Sequence, residues 1–289
     1  MMRYVALLVL LVMVCFVGHQ SQAQTPDLAV RYYRTGEKKM REGDWLAAAE
    51  AFTKAITTNA RLKSGKLQEE KGTSGNLFDP SHSEVSQIRV SDPFTACALT
   101  CRAWAELHLS EFDQAIADFE QALRIKPKLL DAYWGRGIAR STKGDDDGAL
   151  LDFNRMISID PKQSSAYLHR GYVMLEKKDF GAALDDFDRA LELDPRFAWA
   201  QHGRGMSLMK QGKFESAVSA FTAAVELDPG IAESYANRGL ALIVLGRETG
   251  AQTDLRKAVE LKPECKSDLE RRTELAKELK ERKIARLRQ

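Results

Sequence analysis

The chain of 289 residues has little cysteine, no marked charge excess of either sign and few prolines. Its 43 basic side chains nearly balance 41 acidic ones, for a net charge of +2, so the composition does not predict a surface for nucleic acids. Cys15 lies near the start, and an odd number of cysteines follows it: Cys97, Cys101 and Cys265. This number does not favour a disulfide framework, and we expect free thiols.

A long apolar run is also lacking, because the unbroken apolar stretch over residues 4–17 is shorter than the ~20 residues that cross a bilayer. Arg3 precedes the stretch, and the small residues Ser21 and Ala23 follow it with the spacing of a cleavage site. This pattern predicts a signal peptide over residues 1–23 and an exported protein, either periplasmic or secreted. The alternative is an uncleaved N-terminal segment that tethers the protein to a membrane.

Only eight prolines occur, yet five of them stand thirty-four residues apart: Pro127, Pro161, Pro195, Pro229 and Pro263. Three further sets of residues recur with the same period, and we call each such set a column. They are Gly137, Gly171, Gly205 and Gly239; Ala115, Ala149, Ala183, Ala217 and Ala251; and Phe119, Phe153, Phe187, Phe221 and Leu255. A period of this length predicts stacked modules in place of one globular core.

Each period predicts two helices and a tight turn. In residues 130–163, apolar periodicity runs over 132–142, stops at Gly144 and resumes over 148–159. Gly144 recurs as Gly43, Gly212 and Gly246, where a helix end needs a left-handed residue. Together with the glycine, alanine, phenylalanine and proline columns, this helix-turn-helix period resembles the tetratricopeptide repeat. The resemblance implies an all-α, right-handed superhelical solenoid in which the first helix of each module lines a concave groove.

The columns divide the chain into segments. Five contiguous repeats occupy 96–265, and a separate first repeat at 29–60 has Gly36, Ala48 and Phe52 but no closing proline. Residues 61–92 are rich in glycine, serine, aspartate and proline, which predicts an inserted loop, with a degenerate repeat as the alternative. Residues 266–289 predict a basic C-terminal helix that caps the last repeat through Leu269, Leu275, Ala276 and Leu279.

An arginine column stands where the family usually has leucine: Arg102, Arg136, Arg170, Arg204 and Arg238. Sixteen residues later stand Asp118, Asp152, Asp186, Ala220 and Asp254. Because the two helices of a module are antiparallel, we predict a structural ion pair in each module that carries both residues. Pairing between successive modules is the alternative. In either case the pairs are expected to specify register more than to add stability.

The predicted groove face of the first helices carries large apolar side chains: Tyr33, Trp104, Trp134, Ile138, Tyr172, Trp199, Met206 and Met209. Aromatic anchors dominate interface energetics, so we expect an apolar peptide or protein segment as the ligand. The alternative is that the tryptophans fill gaps between first helices. In that case a structural or assembly protein would make its contacts through the inserted loop or the basic terminal helix.

Some relatives hold the carboxylate terminus of a chaperone with a clamp of lysine, asparagine and arginine. The corresponding positions here are Tyr33, Glu37, Cys101, Asp131 and Gly135, so that clamp is absent. Catalytic motifs are absent as well, because no nucleophile elbow, phosphate loop or zinc-binding His-Glu pair occurs in a suitable context.

Cys97, Cys101 and His108 share a helical stripe, but this spacing alone is weak evidence for a soft metal, and we predict neither metal nor cofactor. The sequence therefore predicts a non-enzymatic scaffold that binds a protein or peptide. A homo-oligomer is a further option, whereas nucleic-acid binding and a stable membrane span after leader cleavage are not expected.

Overall fold

The computed structural model describes residues 27–63 and 92–287, which contain thirteen α-helices, one short 3-10 helix and no strand. The predicted signal peptide and residues 64–91 of the predicted loop lie outside the described residues. None of the described helices is both long enough and apolar enough to cross a membrane.

The first twelve helices follow one another as six pairs, each with a first and a second helix. The pairs are α1 (Asp27–Glu42) with α2 (Trp45–Lys63), α3 (Pro93–His108) with α4 (Phe112–Ile125), α5 (Leu130–Thr142) with α6 (Asp146–Ile159), α7 (Ser164–Glu176) with α8 (Phe180–Leu193), α9 (Ala198–Lys210) with α10 (Phe214–Leu227), and α11 (Ala232–Val244) with α12 (Glu248–Leu261). A 3-10 turn (Pro263–Cys265) then leads into α13 (Lys266–Leu287).

The helices form two compact units, Met1–Asp152 and Phe153–Gln289, with the boundary inside α6. In unit 1, α2 packs against α3 and α4 against α5, and in unit 2, α8 packs against α9 and α10 against α11. Each of these second helices thus contacts the first helix of the next module. The all-α, helix-turn-helix solenoid predicted from the thirty-four-residue period is confirmed.

The turns between paired helices share one backbone conformation. Gly43, Gly144, Gly212 and Gly246 have φ between 75° and 85°, which confirms the left-handed position predicted for this column. Ser110 (φ 65°) and Lys178 (φ 63°) hold the same position in the other two described turns without being glycine. These two turns therefore carry backbone strain that the glycine turns avoid.

The phenylalanine column forms the centre of each module. The side chains of Phe52, Phe119, Phe187 and Phe221 are completely buried. The ring of Phe187 lies so close to Gly171 that a Cβ atom there would be 2.9 Å from it, and it also lies against Gly203 of the next first helix. A glycine of the same module and a glycine from the following module thus form the pocket for this ring.

Helix α13 packs against α11 through Leu269 and Ala276, which are buried. Leu275 and Leu279, which we also expected to cover the last module, are 53% and 44% exposed, so that part of the prediction is wrong. The reason lies in the orientation of α13 about its own axis, which turns these two leucines away from α11.

Candidate functional site

The arginine column forms bidentate ion pairs with the aspartate column. Arg102 donates from Nε to Oδ2 of Asp118 (2.5 Å) and from Nη2 to Oδ1 (2.7 Å). The same two-bond arrangement joins Arg136 to Asp152, Arg170 to Asp186 and Arg238 to Asp254. Each pair links the first and second helices of one module. The planar guanidinium suits this task because its fork of donors matches a carboxylate.

The third guanidinium nitrogen reaches the preceding module. Nη1 of Arg170 donates to Asn154 (2.6 Å), and Nη1 of Arg238 donates to Thr222 (3.1 Å). Nη1 of Arg102 likewise donates to Thr53 (3.1 Å). These acceptors directly follow the column phenylalanines, and the polar residues in that column are Thr53, Glu120, Asn154, Asp188 and Thr222. Sequence reasoning missed this second contact, although the repeated polar residue after phenylalanine was a visible signal.

Arg204 shows how the two acceptor columns complement each other. Its own module has Ala220 in place of the aspartate, and its Nε donates to Oδ1 of Asp188 in the preceding module (2.7 Å). The carboxylate therefore comes from one helix pair earlier, the arrangement that was our alternative for the whole column. All five guanidinium groups are bound to carboxylates of the chain itself, which makes them structural groups and poor candidates for holding a ligand.

Glu106 is a buried acid that sequence reasoning did not single out. Glu106 as a whole residue is 8% exposed. Its Oε1 lies 3.6 Å from Nε of Arg102, and its Oε2 has no hydrogen-bond partner in the described part of the chain. Burial, helped by the nearby charge of Asp118, raises the pKa of Glu106 to about 8, although Arg102 acts in the opposite direction. Asp118 is buried as well, at 4% exposure.

The predicted groove residues of unit 1 are not all accessible. Tyr33 and Trp104 are only 7% and 3% exposed, so the exposure expected for them is wrong. The hydroxyl of Tyr33 lies 3.3 Å from Sγ of Cys101, and the ring of Trp104 meets the ring of Trp134 edge-on at 5.4 Å. These rings fill space between successive first helices, as our alternative held. Trp134 and Ile138 remain partly exposed.

The four groove residues predicted in unit 2 are all partly exposed and lie on adjacent first helices. Tyr172 belongs to α7, whereas Trp199, Met206 and Met209 belong to α9. The hydroxyl of Tyr172 donates to the carbonyl oxygen of Trp199 (3.1 Å), and its ring packs edge-on against Phe187. We call these four side chains the first-helix face of unit 2. The ring of Trp199 packs edge-on against the ring of His202, at 5.6 Å between centroids.

Burial keeps two histidines and two cysteines of the first helices uncharged at neutral pH. Burial lowers the pKa of His202 and of His169 to about 4, and Nδ1 of His202 lies 2.8 Å from the hydroxyl oxygen of Ser234. In unit 1, burial raises the pKa of Cys101 to about 12 and raises that of Cys97. Within residues 27–63 and 92–287, no three His, Cys, Asp or Glu side chains converge on a metal site. The first helices therefore offer apolar contact more than charge.

Comparison with known structures places the fold among helical repeats. A tetratricopeptide repeat protein from Parabacteroides merdae has a TM-score of 0.61 at 16% identity, over 89% of this chain and 93% of that one. TTC0263 from Thermus thermophilus has a TM-score of 0.53 at 20% identity, over 63% and 98% of the two chains. MamA from Desulfovibrio magneticus has a TM-score of 0.52 at 20% identity, over 61% and 98%. These likenesses show a shared fold.

Sequence models of the tetratricopeptide repeat match residues 102–164, 164–197 and 202–264. No curated protein sequence is significantly similar to the chain. The matched residues are the ones that carry the alanine, phenylalanine and proline columns. Together they take in more than half of the chain, which therefore belongs to the tetratricopeptide repeat proteins.

Proposed function

We propose that this protein is a non-enzymatic scaffold that binds an apolar polypeptide segment through its first helices, in an exported compartment. The observation that carries the proposal is the first-helix face of unit 2, where Tyr172, Trp199, Met206 and Met209 are partly exposed side by side. Trp134 and Ile138 supply comparable partly exposed side chains in unit 1.

The chemistry of this face favours a peptide over a small charged ligand. The Tyr172 side chain is held by its hydrogen bond to the main-chain carbonyl oxygen of Trp199, so little side-chain entropy of Tyr172 is lost when a partner packs against it. Met206 and Met209 are flexible apolar side chains that adapt to a partner's shape. The neighbouring His202 is uncharged, and the arginine column is already paired within the array, so few charges remain to orient an ionic substrate.

Two further elements of the proposal come from sequence. The absence of recognisable catalytic motifs in the chain supports a binding role, and the apolar stretch at residues 4–17 followed by Ser21 and Ala23 supports export. The missing carboxylate clamp argues against a chaperone terminus as the ligand. We therefore propose an apolar internal segment of a partner polypeptide.

Selection of a displayed random peptide library against the full-length protein tests the proposal. We expect the selected peptides to be rich in large apolar residues and to bind Trp199→Ala and Met206→Ala at least tenfold more weakly than the unchanged protein, since truncation of an interface anchor costs ~2 kcal/mol or more. Leu227→Ala removes an exposed leucine from the end of α10 and serves as the control. Equal affinity for the Trp199 variant and the unchanged protein, with the same circular dichroism, would rule out this face.

A further inference from the structure

The first helix of the array, α1, has an exposed side that carries basic residues. Helix α1 packs against α2 and touches α3, and no second helix precedes it within the described residues. Along its outer side, four cationic side chains stand at helical spacing and are exposed: Arg31, Arg34, Lys38 and Arg41. We call these four residues the cationic stripe of α1. The stripe shares no residue with the first-helix face of unit 2, which lies on α7 and α9.

The cationic stripe occupies columns that are buried in later modules. Gly36 lies against Phe52 as Gly171 lies against Phe187, and this contact aligns the first module with the others. In that alignment Arg31 stands in a column of completely buried residues: Ala98, Ala132, Ala166, Ala200 and Ser234. Lys38 stands in a column whose later members are at most 2% exposed: Ala105, Ala139, Val173, Ser207 and Ala241. Helix α1 thus exposes positions that every later first helix through α11 buries.

Arg34 shows most directly which contact the stripe replaces. Its column includes Gly135 and Gly203, which lie against the phenylalanine rings of the preceding modules, Phe119 and Phe187. A guanidinium at this position excludes such packing, because burying a charge without a partner is costly. The side that later first helices turn toward a preceding second helix is therefore, in α1, suited to a polar or charged surrounding.

The last helix of the chain shows that a terminal helix needs no excess of one charge. The same four columns continue into α13, where their members are also exposed: Asp268, Arg271, Leu275 and Glu278. A mixture of charges is enough to keep the outer face of a terminal repeat soluble. In α1 all four positions hold cations, so solubility alone does not account for the stripe.

The acids of α1 offset its cations only in part. The helix has five basic and three acidic residues. Glu42 lies 3.0 Å from Nζ of Lys39 and 3.7 Å from Nζ of Lys38. Glu37 is half-buried, and burial raises the pKa of its carboxyl group. The exposed side of α1 therefore keeps a net positive charge.

The sequence before α1 favours a lipid bilayer as the partner of this surface. Nine residues, 18–26, separate the apolar stretch at 4–17 from the start of the helix. A segment of that length spans at most ~30 Å, so α1 stays close to a membrane whenever the apolar stretch is in one. Leu28, one turn before Arg31, is 48% exposed. An exposed leucine beside basic residues is typical of helices that lie at a membrane surface.

We propose that the cationic stripe of α1 binds the anionic surface of a phospholipid bilayer. Its guanidinium and ammonium groups contact lipid phosphates, and Leu28 enters the headgroup layer beside them. The first module of the array thereby rests on the membrane. This contact goes beyond the peptide-binding role and does not depend on it, because the two surfaces belong to different helices.

Lipid titrations of the full-length protein test the contact. One set of vesicles contains phosphatidylcholine alone, and the other contains equal parts of phosphatidylcholine and phosphatidylglycerol. Sedimentation gives a partition coefficient for each, and the zwitterionic vesicles account for binding through the apolar stretch. We expect the unchanged protein to prefer the anionic vesicles about tenfold or more, since each basic residue near such a surface strengthens binding about fivefold. Arg34→Glu combined with Lys38→Glu is expected to abolish the preference and to leave partition into the zwitterionic vesicles unchanged.

A second double variant controls for net charge. Arg155→Glu combined with Lys162→Glu makes the same charge change on α6 and in the turn after it, where both side chains are exposed, and should keep the preference. Equal partition of the unchanged protein into both kinds of vesicle, or an equal loss of preference in both double variants, overturns the proposal. Binding to polyglutamate without a preference for anionic vesicles also overturns it and assigns the stripe to an acidic protein. Circular dichroism establishes that each variant retains its helices.

Discussion

At the scale of single residues, Glu106 differs most from its counterparts in other modules. The corresponding positions in the next four modules hold Arg140, Met174, Leu208 and Leu242, so Glu106 is the one acid in this column. Glu106 instead carries a carboxyl group into the contact between α3 and α4, where Arg102 is already engaged by Asp118. With its pKa raised to about 8 by burial, Glu106 is mainly protonated at pH 7.

This protonation makes stability depend on pH in a defined direction. The unfolded chain ionises Glu106 near the ordinary value of 4.5, whereas the folded protein keeps the proton until about pH 8. Between these two pH values the folded protein binds more protons than the unfolded chain does. The free energy of unfolding therefore falls as pH rises from about 4.5 to about 8. We expect Glu106→Leu to remove this slope and to raise the free energy of unfolding at pH 8 by about 2 kcal/mol.

Urea unfolding of both proteins at several pH values between 5 and 9 measures the effect. Glu215→Gln, on the exposed side of α10, is the control for the loss of one acid at the surface. If the unchanged protein and the Glu106→Leu variant give parallel curves over this range, Glu106 is not the group that holds the extra proton.

At the scale of elements, the turn between two helices accepts different residues at its left-handed position. Six turns share a left-handed position, and Ser110 and Lys178 fill it with residues that have a Cβ atom. The turns keep their shape because both flanking helices are packed into the array. The backbone strain at Ser110 and Lys178 is therefore tolerated, and replacement by glycine would remove it.

We expect Ser110→Gly and Lys178→Gly each to raise the free energy of unfolding by about 0.5–1 kcal/mol, since glycine takes the left-handed conformation without steric cost. Lys177→Gly, one residue earlier at φ −71°, is the matched control and should lower stability by a similar amount. Urea midpoints at constant m-value measure all three. Destabilisation by Lys178→Gly equal to that by Lys177→Gly would contradict the assignment of strain.

At the scale of the whole molecule, stability in a repeat array arises between neighbours. Phe119 is a core residue of unit 1, and Phe221 has the same place in unit 2. Each ring contacts glycines of nearby first helices: Phe119 lies against Gly135, and Phe221 against Gly205. A cavity at one ring should therefore loosen the adjacent helices before it affects distant ones.

We expect Phe119→Ala, at a cost of about 3–5 kcal/mol, to lower amide protection mainly in α3, α4 and α5 and to leave α9–α12 near their original protection. Phe221→Ala should give the converse result. Native-state hydrogen exchange measured by mass spectrometry resolves these helices. Equal loss of protection in both units after either change would show a single cooperative block.

The period of the sequence was enough to predict the helix pairs and the turn glycines, because both depend on contacts that repeat in every module. Burial of Tyr33 and Trp104 was not predictable in the same way, since it depends on how closely one first helix approaches the next. The partner of Arg204 was not named because its own module has Ala220, and the pairing between successive modules that it shows was only our alternative. The orientation of α13 was also missed, since it depends on which of its residues, Leu269 and Ala276, pack against α11.

The pairing of Arg204 with Asp188 has a consequence for how such a chain changes in evolution. Loss of residues 164–197 would remove one whole period and leave the helix pattern intact. Arg204 would then follow the second helix that carries Asn154, with Ala220 still opposite, and it would have no carboxylate on either side. The modules are thus not interchangeable, because the ion pair of Arg204 depends on which module precedes it in the chain.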